Sequence, residues 1–580
     1  MSEQNRTLIA VALMGLILMV FFSDWYQEKV SPGSTTQPKP NIESSFSPAD
    51  TVTDEAPPVE RGKPAPTPTP AEDQAASNIT VVVHSPLYEL HISNRAGGTL
   101  TKAYLNNYFK KDSSRVQLIA ESAEGVLSNV FIGYEVERFD TAPLLADCSL
   151  GGDSIYVINT DNWAASFSFT LNLGGNSRLV KTFTFYPDSF HFDLDQELVN
   201  FGEVNAGRYF ATTWSGGVEP TEENRKDDLY YSKMYALLGD DSSPTDYSAD
   251  KTSDIDVQTA TTSWVGCRSK YFTAVLIPDN PVSEFMSQRY EVGDSKESMV
   301  KVFNFDVRDG FDRRQAVSSS NYRVYVGPLD VDILEPYGLH LEEMMSWGWF
   351  GIIGKTALWV FKSLYAVIPN YGIVLIIFSV LVKLLLHPLT RKQFASTQNM
   401  QQAQPQIAAL KEKYKDDPKR LNEETMKLYK ELGINPLGGC LPMVIQMPIL
   451  IAMFNLFRST IELRGAAFKG LEFWISDLSL PDTVGTFMGF NINLLPIFMS
   501  GTMILQQKLM SPGGDANPQM KNMPYIMTAV FFFMFYTFPS GLNLYYTLFN
   551  LMSIAQQAWT KRSAPAAASP PAKTPGKKNK

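Results

Sequence analysis

Cysteine and histidine are scarce, with three Cys and five His in 580 residues. Cys148, Cys267 and Cys440 are too few for a disulfide framework, and none has metal-ligating neighbours at zinc spacing. Cys148 and Cys267 share one region, where they either pair or stand as separate small core residues; only geometry decides. The histidines at 84, 91, 191, 340 and 387 are scattered, which leaves no triad and no metal motif. Also missing are G-x-x-x-x-G-K-[ST], H-E-x-x-H, G-x-S-x-G and CxxC, and with them the common phosphate, zinc-protease, hydrolase and redox chemistries. Catalytic residues, metal and cofactor are therefore all expected to be none. Asp193, Asp195 and Glu197 look like a carboxylate cluster for acid–base work, but i, i+2 spacing on a strand makes them more simply its wet face.

Charge is sparse as well, at 19% of residues, and unevenly placed. Residues 23–350 hold 48 Asp+Glu against 26 Lys+Arg, while the rest of the chain holds 12 against 24. An acidic half joined to a basic, hydrophobic half is the pattern expected when a membrane separates them.

What the chain does have is long apolar runs. Residues 8–22, LIAVALMGLILMVFF, follow Arg6 and lead into Ser-Asp-Trp-Tyr rather than a small-residue cleavage site, so 1–28 reads as an uncleaved anchor rather than a signal peptide. Residues 29–78 are rich in proline, with ten between 31 and 76, and too poor in apolar surface to offset ordering entropy; they read as a disordered linker. From Ile79 the texture becomes strand-like, as in Thr80–Val83, Tyr88–Ile92, Ser166–Leu171 and His191–Asp195, with period-two alternation and Gly, Asn and Asp punctuation. Residues 79–334 are predicted to form an all-β sandwich-like domain. The stretch 335–368 mixes Trp347, Trp349 and Trp359 with Lys355 and Lys362, which fits a helix lying in the headgroup layer; a true span over 349–368 is the competing reading.

Five stronger spans are placed near 371–389, 437–457, 491–508, 522–540 and 541–559, each close to the roughly 20 residues a bilayer requires. With the anchor they make six transmembrane helices, and 371–559 is the five-helix core. Nine Lys+Arg in 390–435 and six in 561–580, the latter without an acid, place both segments in the cytoplasm. An inside N-terminus, six spans and an inside C-terminus agree with one another, and the acidic β domain then lies outside. Within the cytoplasmic loop, Ile407, Leu410 and Tyr414 share one helical face and Leu421, Leu428 and Leu432 another. Asp416-Asp417-Pro418 separates them, which predicts an antiparallel helical hairpin over 391–433.

One charge stands inside a span. Lys383 lies in YGIVLIIFSVLVKLLLHPLT, where an ammonium costs at least about 2.5–3.5 kcal/mol at the bilayer centre and usually faces a polar cavity. Its long stem also reaches toward the headgroups near His387-Pro388, and position alone leaves both readings open. Ser379 is one turn away on the same face, and Gln446, Gln506, Asn543, Asn550, Gln556 and Gln557 sit in other spans. These residues either line one wet groove or join helices by hydrogen bonds.

Three motifs carry a resemblance. Asn435-Pro436-Leu437-Gly438-Gly439-Cys440-Leu441-Pro442, running into Ile445-Gln446-Met447-Pro448, resembles the third span of the YidC membrane protein insertases. His387-Pro388-Leu389-Thr390 at the end of the preceding span, and Phe538-Pro539-Ser540-Gly541-Leu542 before Tyr545-Tyr546, match the same family, and the long β domain after the first span resembles its Gram-negative form. The resemblance implies an insertase and chaperone of the inner membrane, with a groove open to cytoplasm and lipid. It also implies nascent membrane proteins, the Sec translocon and lipids as partners, the ribosome as a contact of the basic tail 560–580 and the cytoplasmic loops, and no DNA. The family's groove arginine falls at Lys383, its hydroxyl position at Ser379, and its substrate-contacting position at Tyr546 or the neighbouring Tyr545. Two rivals come from other classes. A secondary transporter would use Lys383 as its site but commonly shows internal repeats, and none is visible here. A carbohydrate-binding or glycosidase-like outer module would need a convergent carboxylate pair or an aromatic platform.

Overall fold

Alternation decides the first half of the chain. In Arg178–Phe185, Leu179, Lys181, Phe183 and Phe185 point inward while the residues between them meet solvent, and Ala165–Asn172 and His191–Val199 repeat the pattern. The computed structural model describes residues 77–563 except 122, 124, 133–137, 152–153, 202–208, 240, 249–254, 294–298, 311–314, 346, 349, 416, 434–440 and 511–517. The expected anchor 1–28, nearly all of the linker 29–78, the tail beyond Ser563 and the run Asn435–Cys440 lie outside the described residues. The described chain falls into two compact units, one ending at Ser346 and the other starting at Trp347.

The first unit is β-rich, with described sheets of nine, six and five strands. The nine-stranded sheet contributes Gln196 and the six-stranded sheet Asn129 and Thr212. Asn129 Nδ2 donates to Gln196 Oε1 at 2.7 Å and Gln196 Nε2 to Thr212 Oγ1 at 2.8 Å, so the two sheets meet face to face through a buried amide ladder. Around it Phe167, Phe183, Phe185 and Phe192 pack with ring centroids 5.1–6.4 Å apart, in the offset and tilted range aromatic pairs favour. Gly98, at φ +117°, lets the turn before Thr99–Phe109 lie on these rings; a Cβ there would stand 2.8 Å from both Phe169 and Phe183. Lys181 joins the three sheets. Fully buried, it donates to the carbonyls of Ala96, Gly98 and Leu127 at 3.4, 3.1 and 2.5 Å. Cys148 and Cys267 are separate thiols, the latter deep in the core. Asp193 and Asp195 are half-buried and Glu197 exposed, opposite the inward Phe192, Leu194 and Leu198.

The stretch expected as one helix over 335–368 divides. Residues 335–337 and 341–344 are 3-10 turns within the first unit, where Trp264 Nε1 donates to Leu339 O and Arg268 Nη1 to Met344 O. Gly338 and Gly348, both at φ +67°, interrupt any longer helix. Helix α1, Gly351–Val367, begins only afterwards. It buries Gly354, Ala357, Leu358 and Phe361 and leaves Ile352, Trp359 and Val367 exposed, apolar on both faces. Lys362 pairs with Glu462 at 2.6 Å.

The second unit continues with α2 Tyr371–Lys413, α3 Pro418–Glu431, α4 Leu441–Ser459, α5 Leu494–Met510, α6 Pro518–Phe535 and α7 Ser540–Ser563. Asn370 caps α2, its Oδ1 accepting from the amides of Gly372 and Ile373. Among the described residues one helical stretch is long and apolar enough by itself to cross a membrane, Tyr371–Pro388, with mean hydropathy 2.0. Where the sequence suggests a span ending at His387-Pro388, α2 runs on through Pro388 and Pro405 for 43 residues. Proline forfeits one backbone bond, and here packing across the site compensates. Gln556 on α7 bonds His387 at 3.1 Å and Thr390 at 3.3 Å, one position before Pro388 and two after it. Between α4 and α5 a two-stranded hairpin, Thr483–Phe487 with Phe490–Asn493, delays α5 to Leu494.

Candidate functional site

The apolar part of α2 packs on α7, and the two helices run parallel. Phe378 meets Tyr545 with ring centroids 6.3 Å apart, Lys383 meets Phe549 and Ser553, and His387 meets Gln556. Residues 545, 549, 553 and 556 recur at three- and four-residue spacing, so one face of α7 supplies the whole seam.

Lys383 lies at the middle of this seam and is 7% exposed. Its Nζ donates to Ser553 Oγ at 2.7 Å and stands 4.4 Å from the centroid of Phe549. Ser553 passes its own proton to Phe549 O at 2.7 Å. Among the described residues no carboxylate pairs with Lys383, so a hydroxyl and an aromatic face are its named partners. Ser379, one turn earlier, is fully buried and donates to Leu375 O of its own helix at 2.7 Å.

The other expected groove residues divide between two seams. Tyr545 is fully buried in the α2–α7 seam, and its ring touches Tyr546 and Phe549. Tyr546 leans on Phe535 of α6 at 5.3 Å. Asn550 reaches the other way, donating to Thr502 of α5 at 3.3 Å. Gln446 and Gln506 are half-buried. The α5–α6 link runs instead through Gln507, whose Nε2 donates to Thr528 Oγ1 at 2.9 Å. Sequence reasoning named Gln506 and not the adjacent Gln507, which the helical rotation turns toward α6.

Tyr546 hydrogen-bonds Gln446 on α4, but among the described residues several other buried polar atoms of this bundle have no partner: the Tyr545 hydroxyl, both amide atoms of Gln557, Gln507 Oε1 and Asn543 Oδ1. Each such atom costs about 1–3 kcal/mol if left dry. A run of them on α5 and α7 gives that side of the bundle a polar interior. Ser553 escaped the sequence reading as a site residue, although it continues the Tyr546–Asn550 stripe at helical spacing toward Gln557.

Beyond Pro388, α2 folds back on α3. Ala403 and Ile407 are buried there against Leu428 and Tyr429. Leu410, Tyr414 and Leu421 are half-buried, and Leu432, at the C-terminal cap of α3, is exposed. Asp417 caps α3 by accepting from the Arg420 amide at 3.1 Å, with Pro418 in its first turn.

With this geometry in place, the chain can be set beside known proteins. A family profile described as 60Kd inner membrane protein matches residues 363–567, and one described as YidC periplasmic domain matches 80–360. The membrane protein insertase YidC of Chlorobium phaeovibrioides is 36% identical over 491 residues, 82% of each chain. That of Prosthecochloris aestuarii is 31% identical over 601 residues, 99% of each chain. A crystal structure of an active YidC insertase with its first transmembrane domain resolved aligns over 83% of this chain and 93% of that one, at 19% identity and a TM-score of 0.33.

Proposed function

The chain belongs to the YidC family of membrane protein insertases, an inner-membrane family with a periplasmic domain, and from that premise we propose how its own residues serve insertion. Its substrates are newly made membrane proteins. The finer reading is a six-span protein, both termini cytoplasmic, acting alone or with the Sec translocon as insertase and chaperone. The parallel course of α2 and α7 supports that topology, because the second and sixth of six spans cross in the same direction.

The observation that carries the mechanism is Lys383, a buried cation on an apolar helix with no carboxylate partner among the described residues. A polar segment entering hydrocarbon loses several kcal/mol per unpaired group. A hydrated groove lined by Lys383, Ser379, Gln446, Gln506, Tyr545, Tyr546 and Asn550 lowers that barrier part-way across. The ammonium can exchange Ser553 for an acidic residue of the arriving chain, and the groups on α5 and α7 that lack a partner among the described residues can bond its backbone. The segment then leaves sideways into lipid, driven by burial of its own apolar surface. The α2–α3 hairpin receives the chain first, and the basic loop and tail are the ribosome contacts. No covalent bond is made or broken.

Photocrosslinking tests this reading. A crosslinker at Ser379, Lys383 or Tyr546 is expected to capture a ribosome-bound nascent chain carrying one short transmembrane segment, while one at the exposed positions Leu384 and Leu385 captures lipid. If a folded preparation yields crosslinks at the controls but none at the three positions, the groove reading is wrong.

A further inference from the structure

The hairpin between α4 and α5 has no role in the mechanism above, and its composition is unusual for a protruding loop. From Thr483 to Gln507 no residue carries a charge. Phe487, Met488 and Phe490 form its tip and are 68%, 83% and 75% exposed. Ile492, opposite Gly485, continues the Phe487–Phe490 face and is exposed, as is Val484, while the other face pairs the uncharged Thr486 and Asn491. Met488 and Gly489 both have positive φ, 50° and 82°, the two-residue turn that matches strand twist and holds the aromatic tip at the far end of the ribbon. A lone two-stranded ribbon of this kind is marginal in water.

Its base is fixed to the helical bundle. Asp482 Oδ2 accepts from the Leu494 and Leu495 amides at the start of α5 and from Trp474 Nε1. Asn493 Nδ2 donates to Tyr536 O at 2.6 Å, and the Tyr536 hydroxyl bonds Asn491 O. Trp474 and Tyr536 thus ring the base of the hairpin, and Ile497 and Phe498 continue its exposed apolar surface down α5. Trp and Tyr at the boundary with an uncharged apolar surface beyond them is the arrangement of a membrane–water interface.

We infer that the hairpin Thr483–Asn493 is a lipid anchor, its Phe487-Met488-Gly489-Phe490 tip seated in the bilayer at the end of α5 that begins with Leu494. The inference rests on the membrane location of the family and on α5 crossing that membrane as proposed above. The outer edges of a two-stranded ribbon carry unpaired N–H and C=O groups, which hydrocarbon does not tolerate. The backbone therefore stays in the hydrated headgroup layer, and the side chains reach the acyl boundary. In the proposed topology this is the periplasmic leaflet, and the anchor holds the α4–α5 connection in that plane.

The test uses the full chain in vesicles of phosphatidylethanolamine and phosphatidylglycerol, with Cys148→Ser, Cys267→Ala and Cys440→Ser as background. A spin label is introduced by Met488→Cys, with Lys469→Cys as an aqueous control and Ile497→Cys as a control on α5. The expected result is that collisions with oxygen exceed those with a water-soluble nickel chelate at 488, as at 497, and that the order reverses at 469. Adding Phe487→Asp and Phe490→Asp returns the label at 488 to the aqueous ratio. An aqueous ratio at 488 with a lipid ratio at 497 overturns the anchor and leaves the α5 span standing. Aqueous ratios at both overturn anchor and span together. Low access of both agents at 488 means the tip docks on protein, which also overturns the anchor.

Discussion

Among the described residues Lys181, Lys270 and Lys383 are all cut off from water; Lys270 pairs with Asp227, and the other two, which have no such carboxylate partner, are treated differently by their surroundings. Lys181 gives one donor to each of three carbonyls, and burial pushes its pKa down from 10.5 to about 7. The unfolded chain therefore holds this proton up to about pH 10.5, whereas the folded chain releases it near 7. Between those values the unfolded state binds more protons, so stability climbs with pH, at up to about 1.4 kcal/mol per unit. Urea unfolding at a series of pH values is expected to show that climb, and Lys181→Met to flatten it. Lys383, by contrast, has one hydroxyl and one ring, and its remaining donors suit an incoming acid. Replacing it by Ala is expected to slow insertion of clients with an acidic residue in the translocated segment roughly ten- to a hundredfold, the worth of a charge-assisted hydrogen bond of about 1.5–3 kcal/mol. Lys383→Arg retains most of the rate in the same reconstituted assay. Lys383 was legible in the sequence because a charge inside an apolar run violates the pattern. Lys181 was not, because a lysine on the inward row of a strand looks like an ordinary break in alternation until the three carbonyls are in place.

At the scale of elements, close approach matters more than propensity. Gly541 opens α7 where its amide bonds Leu478 O at 3.0 Å, and a Cβ there would lie 2.4 Å from the ring of Phe457 on α4. Gly541→Ala is expected to push α7 away from α4 at a cost of about 1–3 kcal/mol, read as a lowered Tm of the detergent-solubilised protein. The Phe538-Pro539-Ser540-Gly541 run stood out in the sequence as a motif between two spans, but the reason for its glycine lies in a residue 84 positions earlier, which no local pattern reveals. The same limit explains α2. The sequence placed the end of the span at His387-Pro388-Leu389-Thr390, and what carries the helix unbroken past Pro388 are contacts from Gln556, far along the chain. The break before Pro418 needed only local chemistry, Asp417 as cap and Pro418 in the first turn, and was legible from the start.

The whole molecule is two units with different solvents. The acidic β-rich unit has its own aromatic core and amide ladder, and the basic unit carries the helical bundle. Each is predicted to unfold by itself, giving two separate transitions in urea when tertiary-structure dichroism and helical dichroism are followed together; coincident curves would contradict this. The division was readable from charge balance alone, because a bilayer sorts charge before any fold is specified.

The unbroken course of α2 has a mechanical consequence. At 1.5 Å per residue it is a rod roughly 65 Å long, clamped on α7 near one end and loaded, in the proposed scheme, near the other. In that scheme a client held by the α2–α3 hairpin applies a torque whose fulcrum is the contact of Lys383 with Ser553. The load reaches the cation as a tilt, and Pro388, which lacks a backbone donor, is the compliant joint that sets how much of that tilt is transmitted.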